Sequence, residues 1–214
     1  MKKILVFVLM LSTVISYGQY FKVGVVFKDG TKKEGYAKVP DGNQKKVSFK
    51  YSEEGDVITL KSDDIFTLEF KLEDGRFYKL ERSKVKMLGM KKSGEIVSKI
   101  NKKEGWYFLS QENSKLNYYM AGQKYKIDKK GYFKIKSSGQ TGFTAIGYYL
   151  KRPSESEVTY ITATKSGVQV FHEKMFRNTL STYLKDNEEL ADRIKNKEFK
   201  SKQLLDVYNI YISE

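Results

Sequence analysis

The chain has 214 residues, of which 40 are basic and 26 acidic, and its formal net charge is +14 at neutral pH. It contains no Cys and one His, which excludes disulfides, thiol catalysis, thiolate metal sites and clusters of His ligands. Five of the 40 basic residues are Arg and 35 are Lys, and Lys lacks the planar fork that reads guanine edges. This composition disfavours specific recognition of nucleic acid.

The N-terminal segment has the pattern of an export signal. Two lysines precede an apolar run over residues 4–15, and small residues stand at positions 16 and 18. The pattern predicts a signal peptide over 1–18 that is cleaved before Gln19. No other apolar run is long enough to cross a bilayer, so no transmembrane span is expected in the mature chain. Because no Cys is present for lipid attachment, we expect a periplasmic or secreted protein.

From Phe21 onwards the sequence predicts short strands joined by tight turns. Apolar residues alternate on both sides of Asp29-Gly30, and the same arrangement recurs around Asp74-Gly75. Asp-Gly between alternating runs is a strong hairpin signal. We therefore predict an N-terminal antiparallel β module over 19–89, with an SH3-like or Sm-like barrel as one option. Residues 90–105 are polar and Lys-rich and are predicted to be a connection.

A second, Lys-rich β region is predicted over 106–170. The excess of charge lies in this part of the chain, because residues 101–171 carry twelve basic and five acidic side chains. An anion-facing surface is therefore expected there. An AT-rich genome also favours Lys and Tyr codons, and this second explanation of the basic composition stays open.

The final segment, 171–214, is predicted to be a helical tail packed on the β body. Its apolar residues recur at helical spacing, and Asn187 or Asp186 can cap a middle helix while Ser201 can cap the last one. The fold class is therefore predicted as α+β: mainly antiparallel β, as small barrel-like or sandwich sheets, with a C-terminal cap of about three short helices.

Several short segments resemble a group of uncharacterised secreted proteins from Bacteroidota, namely "EGYAKV", "KVSFKY", "KSDDIFTLEF", "EGWYFL" and "LNYYM". The tail of that group has Cys-Pro before its middle helix, where this chain has Asn187-Glu188, and it ends in Tyr-Asn, present here as Tyr208-Asn209. The resemblance implies an exported location and a β-rich body with a helical tail, and it implies no established activity.

A hairpin faced with lysines is the first candidate binding site. Strand alternation places Lys124 and Lys126 on one face, with Lys134 and Lys136 on the matching face across a turn at 128–131. Such a face is suited to anionic glycans or lipid head groups. Lysines on exposed strands also prevent edge-to-edge aggregation, and this alternative stays open.

Doubled aromatic residues form the second candidate site. Neighbours in a strand point to opposite faces, so one ring of each pair can stay outside the core and stack on a sugar. Trp106, Tyr119 and Tyr149 are the candidate rings. The alternative is that the core and the helices cover both faces. The binding interpretation requires the lysines and these rings to share one open face.

No catalytic, cofactor-binding or metal-binding residue is predicted. The acidic groups at 53–56 and 63–64 can form a carboxylate pair or a Ca²⁺ site, but they lie in turn-like sequence, where solvated charge is usual. The sequence thus favours an exported, non-enzymatic cell-envelope protein with an interaction or structural role, whose partner is an envelope protein or an anionic surface. A binding module for anionic glycans or lipid head groups is the alternative, and a secreted carboxylate-dependent hydrolase is the third.

Overall fold

The computed structural model describes residues 19–91, 95–136, 145–164 and 170–214. The predicted signal peptide lies outside this part, as do segments of the predicted second β region. The described strands are β1 (Phe21–Phe27), β2 (Lys32–Ala37), β3 (Lys46–Lys50), β4 (Ile58–Lys61), β5 (Ile65–Lys71), β6 (Phe77–Ser83), β7 (Val85–Met90), β8 (Ile96–Ile100), β9 (Gly105–Gln111), β10 (Asn117–Ala121), β11 (Lys124–Ile127), β12 (Phe133–Lys136), β13 (Gly147–Lys151) and β14 (Val158–Ala163).

Twelve of these strands form one sheet in the order β4-β3-β2-β1-β5-β6-β9-β10-β13-β14-β7-β8, and β11 and β12 pair with each other. All the pairings are antiparallel except that of β14 with β7. The hairpins at Asp29-Gly30 and Asp74-Gly75 are present, with both glycines at positive φ, where residues with a side chain are strained. The predicted α+β class is therefore confirmed.

The second half of the sheet closes on itself. Strand β6 ends at Ser83 and β7 begins at Val85, so the two are halves of one bent strand. Because the sheet runs from β6 through β9, β10, β13 and β14 to β7, it returns to that same strand and forms a small barrel. We call this closed unit, which lies in the second half of the sheet, the second barrel. Its interior contains Tyr107, Tyr119 and Val158.

The first half of the sheet, β1 to β6, encloses a separate core that includes Val25, Phe49 and Leu68. The β11–β12 hairpin packs against this first core and buries Tyr125 and Ile127 in it. The hairpin is attached through the hydroxyl of Tyr125, which donates to the Trp106 carbonyl at 2.6 Å, and through that of Tyr78, which donates to the Gly131 carbonyl at 2.8 Å.

Three helices cover the outer face of the second barrel: α1 (Val170–Tyr183), α2 (Glu188–Lys195) and α3 (Leu204–Ser213). They share one apolar cluster with Tyr118, Leu150 and Ile161 of the barrel. Helix α2 is capped as predicted, because the Asn187 side chain accepts from the Leu190 amide at 3.0 Å. A helical cap packed on the β body is thus present.

Two local predictions differ from the structure. The predicted connection, 90–105, contains β8, whose mixture of Ile, Val, Ser and Lys lacks the alternation of a half-buried strand. Ser201 does not cap α3 but starts a short 3₁₀ turn over Ser201–Gln203, and its amide donates to the Glu173 carboxylate at 2.9 Å. The Ser201 side chain also contacts Glu173 and is therefore used in tertiary packing.

Candidate interaction surface

Strand β8 lies at the open end of the twelve-stranded sheet and pairs only with β7 among the described residues. The Lys91 amide donates to the Glu95 carbonyl, and the Asn101 amide donates to the Val85 carbonyl, both at 2.8 Å. Hydrogen-bonded pairs alternate along an antiparallel ladder, so Val97 and Lys99 also bond to β7. The backbone groups of Ile96, Ser98 and Ile100 therefore point away from β7, towards a position that another strand can occupy.

All five residues of β8 are exposed. The exposed fractions are 46% for Ile96, 36% for Val97 and 47% for Ile100, and the hydrophobic effect disfavours such aliphatic exposure. Large exposed apolar patches on soluble proteins often mark sites where another molecule binds.

A groove of about 380 Å³ lies between β7, β8 and α1. Leu88, Ile96 and Met175 supply its apolar lining, and Lys174 and Asn178 contribute polar groups. Met175 is itself 41% exposed. We call β8 together with this groove the β8 surface. It combines a free strand edge with an apolar groove beside it, which are the two parts that binding by strand addition uses.

The opposite end of the sheet, β4, is built differently. It has four residues, and Leu60 is buried in the first core. The Ser62 amide donates to the Lys45 carbonyl, so by alternation Leu60 bonds to β3 while Thr59 and Lys61 present their backbone groups outwards. A short edge strand that carries Lys is a common protection against unwanted strand pairing.

The structure places the four predicted lysines on one exposed face of the β11–β12 hairpin. Lys124 lies opposite Lys136, and Lys126 lies opposite Lys134. The predicted alternation is observed, since Tyr125 and the other apolar residues of the hairpin face the first core. Lys134 also lies 3.8 Å from the Asp128 carboxylate.

The aromatic candidates do not join that face. Trp106 is buried in the first core, where its ring lies 5.5 Å from the guanidinium of Arg82. Tyr119 is fully buried inside the second barrel, and Tyr149 is half-buried between the rings of Tyr107 and Tyr160. The lysines and these rings therefore do not share one open face, because the core and the sheet cover the rings.

The second barrel contains a buried ion pair that the sequence did not reveal. The Lys151 ammonium contacts the Glu81 carboxylate, and both side chains are at least nine-tenths buried. The Tyr119 hydroxyl donates to the same carboxylate at 2.7 Å. The two charges come from β6 and β13, which are not neighbours in the sheet. The pair therefore spans the barrel interior and becomes recognisable once the barrel closure is known.

The acidic groups considered for the third option, a carboxylate-dependent hydrolase, lie in ion-paired or exposed positions. Arg82 donates to Asp63 at 2.8 Å, and this hydrogen bond holds the pKa of the Asp63 carboxyl below its ordinary value. A general acid needs the opposite shift. Glu53, Glu54 and Asp56 are exposed. Within the described residues no group of three or more His, Cys, Asp or Glu side chains is arranged to hold a metal ion.

None of the described helices is long and apolar enough to cross a membrane. Comparisons with protein-family models, curated proteins and solved structures found no match to this chain.

Proposed function

We propose that this protein is exported and acts in the cell envelope by binding another polypeptide through the β8 surface, with no catalytic step of its own. The N-terminal pattern of two lysines, an apolar run and small residues supports the export. The observation that carries the interaction role is β8, an edge strand whose three aliphatic side chains are all exposed. A partner segment that pairs with β8 would satisfy its outward backbone groups and cover this apolar area.

Photo-cross-linking in the cells that export the protein tests this proposal. A benzophenone amino acid replaces Val97 on β8, and in a matched control it replaces Tyr51, which is 59% exposed on the first half of the sheet. We expect a covalent adduct with a polypeptide from position 97 and none from position 51. Adding Ile100→Asp to the Val97 probe should greatly reduce the adduct, because it removes aliphatic contact area from β8 and places a carboxylate at the strand edge. No adduct, or equal adducts at both positions, contradicts the proposal.

A second candidate function is binding of anionic glycans or lipid head groups by the four lysines of the β11–β12 hairpin alone, without the rings of Trp106, Tyr119 and Tyr149 that the sequence interpretation included. One observation favours it: two pairs of lysines lie directly opposite each other, and like charges in this arrangement are destabilising unless anions compensate them. Among the described residues, Asp128 forms a salt bridge with Lys134 and with none of the other three lysines. Retention on an anionic polysaccharide resin should fall with salt. It should be lost when Lys124, Lys126, Lys134 and Lys136 are changed to Glu.

The matched control changes four exposed lysines of the first half of the sheet to Glu: Lys22, Lys32, Lys61 and Lys71. Net charge changes equally in both variants. Equal loss of retention would mean that general basicity holds the protein on the resin, and the hairpin would then have no specific role.

A further inference from the structure

The β8 surface is surrounded by cations that have no salt-bridge partner among the described residues. They lie on β7, on β8, in the turn after β8 and on α1: Lys86, Lys99, Lys102, Lys103 and Lys174. The described acids on the same segments are already paired, that of α1 because Glu173 lies 3.8 Å from Arg177. Glu95 lies 2.9 Å from Lys91, and Glu104 lies 2.8 Å from Lys28. The surface is therefore apolar at its edge and positively charged around it.

The two faces of β8 differ in what they offer. Ile96 lines the groove beside α1, so Ser98 and Ile100, which have the same parity, also face the α1 side. Val97 and Lys99 face the opposite side. A strand added beyond β8 must present successive side chains to these two faces in turn. Its residues on the α1 side meet Ile96 and Ile100, whereas its residues on the other side meet Val97 and Lys99.

We infer that the partner segment bound by β8 is an extended acidic strand, with aliphatic residues at alternate positions and Asp or Glu between them. This inference rests on the proposed function, because it names the chemistry of the partner that the β8 surface takes. The aliphatic residues cover the exposed isoleucines and the groove. The acidic residues lie beside Lys99 and within the field of the other unpaired lysines. A second copy of this chain fits less well, because it would bring the same unpaired lysines together.

Binding of designed peptides tests the inference. The probe is a fluorescein-labelled octapeptide of alternating Ile and Glu, N-methylated along one edge so that it cannot stack on itself. The comparison peptide has Lys in place of Glu. Fluorescence anisotropy should show that the Glu peptide binds the wild-type protein more tightly. Lys99→Glu should weaken that binding about fivefold and strengthen binding of the Lys peptide, as expected for a cross-strand charge pair.

The control variant is Lys22→Glu, which makes the same charge change at an exposed position of β1. It should leave both affinities unchanged. Circular dichroism of each variant checks the fold, which the exposed positions of Lys22 and Lys99 should preserve.

Three results would overturn the inference. Equal binding of the two peptides would reject the acidic chemistry while leaving strand docking at β8 intact. Binding of neither peptide, together with a Val97 adduct in cells, would mean that β8 takes a different partner. Rapid disulfide dimerisation of Ser98→Cys under mild oxidation, in a chain that otherwise lacks Cys, would show that a second copy occupies the edge. A missing Val97 adduct is instead the failure of the proposed function itself.

Discussion

The two ends of the twelve-stranded sheet differ in how their last strands are held. At one end, β4 contributes Leu60 to the first core and presents Thr59 and Lys61 outwards. At the other end, β8 contributes no buried residue and hydrogen-bonds to a strand that already completes the second barrel. The barrel therefore does not need β8 for its own core. An edge strand that is free of a structural role can keep exposed aliphatic residues for binding.

The largest effect is expected in the interior of the second barrel, the unit to which β8 is attached. Lys151→Ala leaves the Glu81 carboxylate buried without its cation, and breaking one side of a buried pair costs about 3–5 kcal/mol. Urea unfolding followed by circular dichroism measures the loss in the free energy of unfolding. Changing Glu81 and Lys151 to Leu together should cost less, because no charge is then left buried and only the Tyr119 hydroxyl loses its acceptor. If the single and the double variant are equally unstable, the ion pair is not what the barrel depends on.

The two end strands should respond differently to the loss of an aliphatic side chain. Leu60→Ala should lower the free energy of unfolding by about 2–4 kcal/mol, because it opens a cavity in the first core. Ile96→Ala should change it by less than about 0.5 kcal/mol, because the side chain is exposed. The same urea titration serves for both variants. A large loss in the Ile96 variant would show that β8 is part of a core, and the contrast between the two ends would disappear.

A smaller effect concerns high pH. Burial raises the pKa of the Tyr149 phenol to about 12, and the nearby Tyr160 adds to the shift. The neutral phenol therefore stabilises the second barrel below pH about 10, the ordinary value for Tyr, and this contribution is lost as the pH rises towards 12. Tyr149→Phe should make stability fall less steeply between pH 10 and 12. Identical slopes in the variant and the wild type would contradict this account.

Much of the architecture follows from local sequence. Asp29-Gly30 and Asp74-Gly75 fix two hairpins because glycine readily adopts positive φ there. The alternation of lysines with Tyr125 and Ile127 fixes which face of the β11–β12 hairpin is buried. Asn187 marks the start of α2 through its side-chain oxygen. In each case neighbouring residues contain the whole signal.

The parts that sequence did not predict depend on contacts between distant residues. Glu81 and Lys151 meet because the barrel closes, and no local pattern encodes that closure. Strand β8 has an apolar residue on each face, so its sequence shows neither a helical nor a strand period, and local pattern alone predicts a connection over 90–105. Strand alternation makes Trp106 and Tyr119 candidates for the surface, because adjacent strand residues face opposite ways, but the core and the barrel interior cover these faces.

Amide hydrogen exchange of β8, read residue by residue by NMR, tests the docking edge most directly. The sample is compared before and after addition of the alternating Ile and Glu peptide. The amides of Ile96, Ser98 and Ile100 should become protected when the peptide binds, because they gain partners. Those of Val97 and Lys99, already bonded to β7, should change little. Uniform protection, or protection confined to the β11–β12 hairpin, would contradict strand addition at β8.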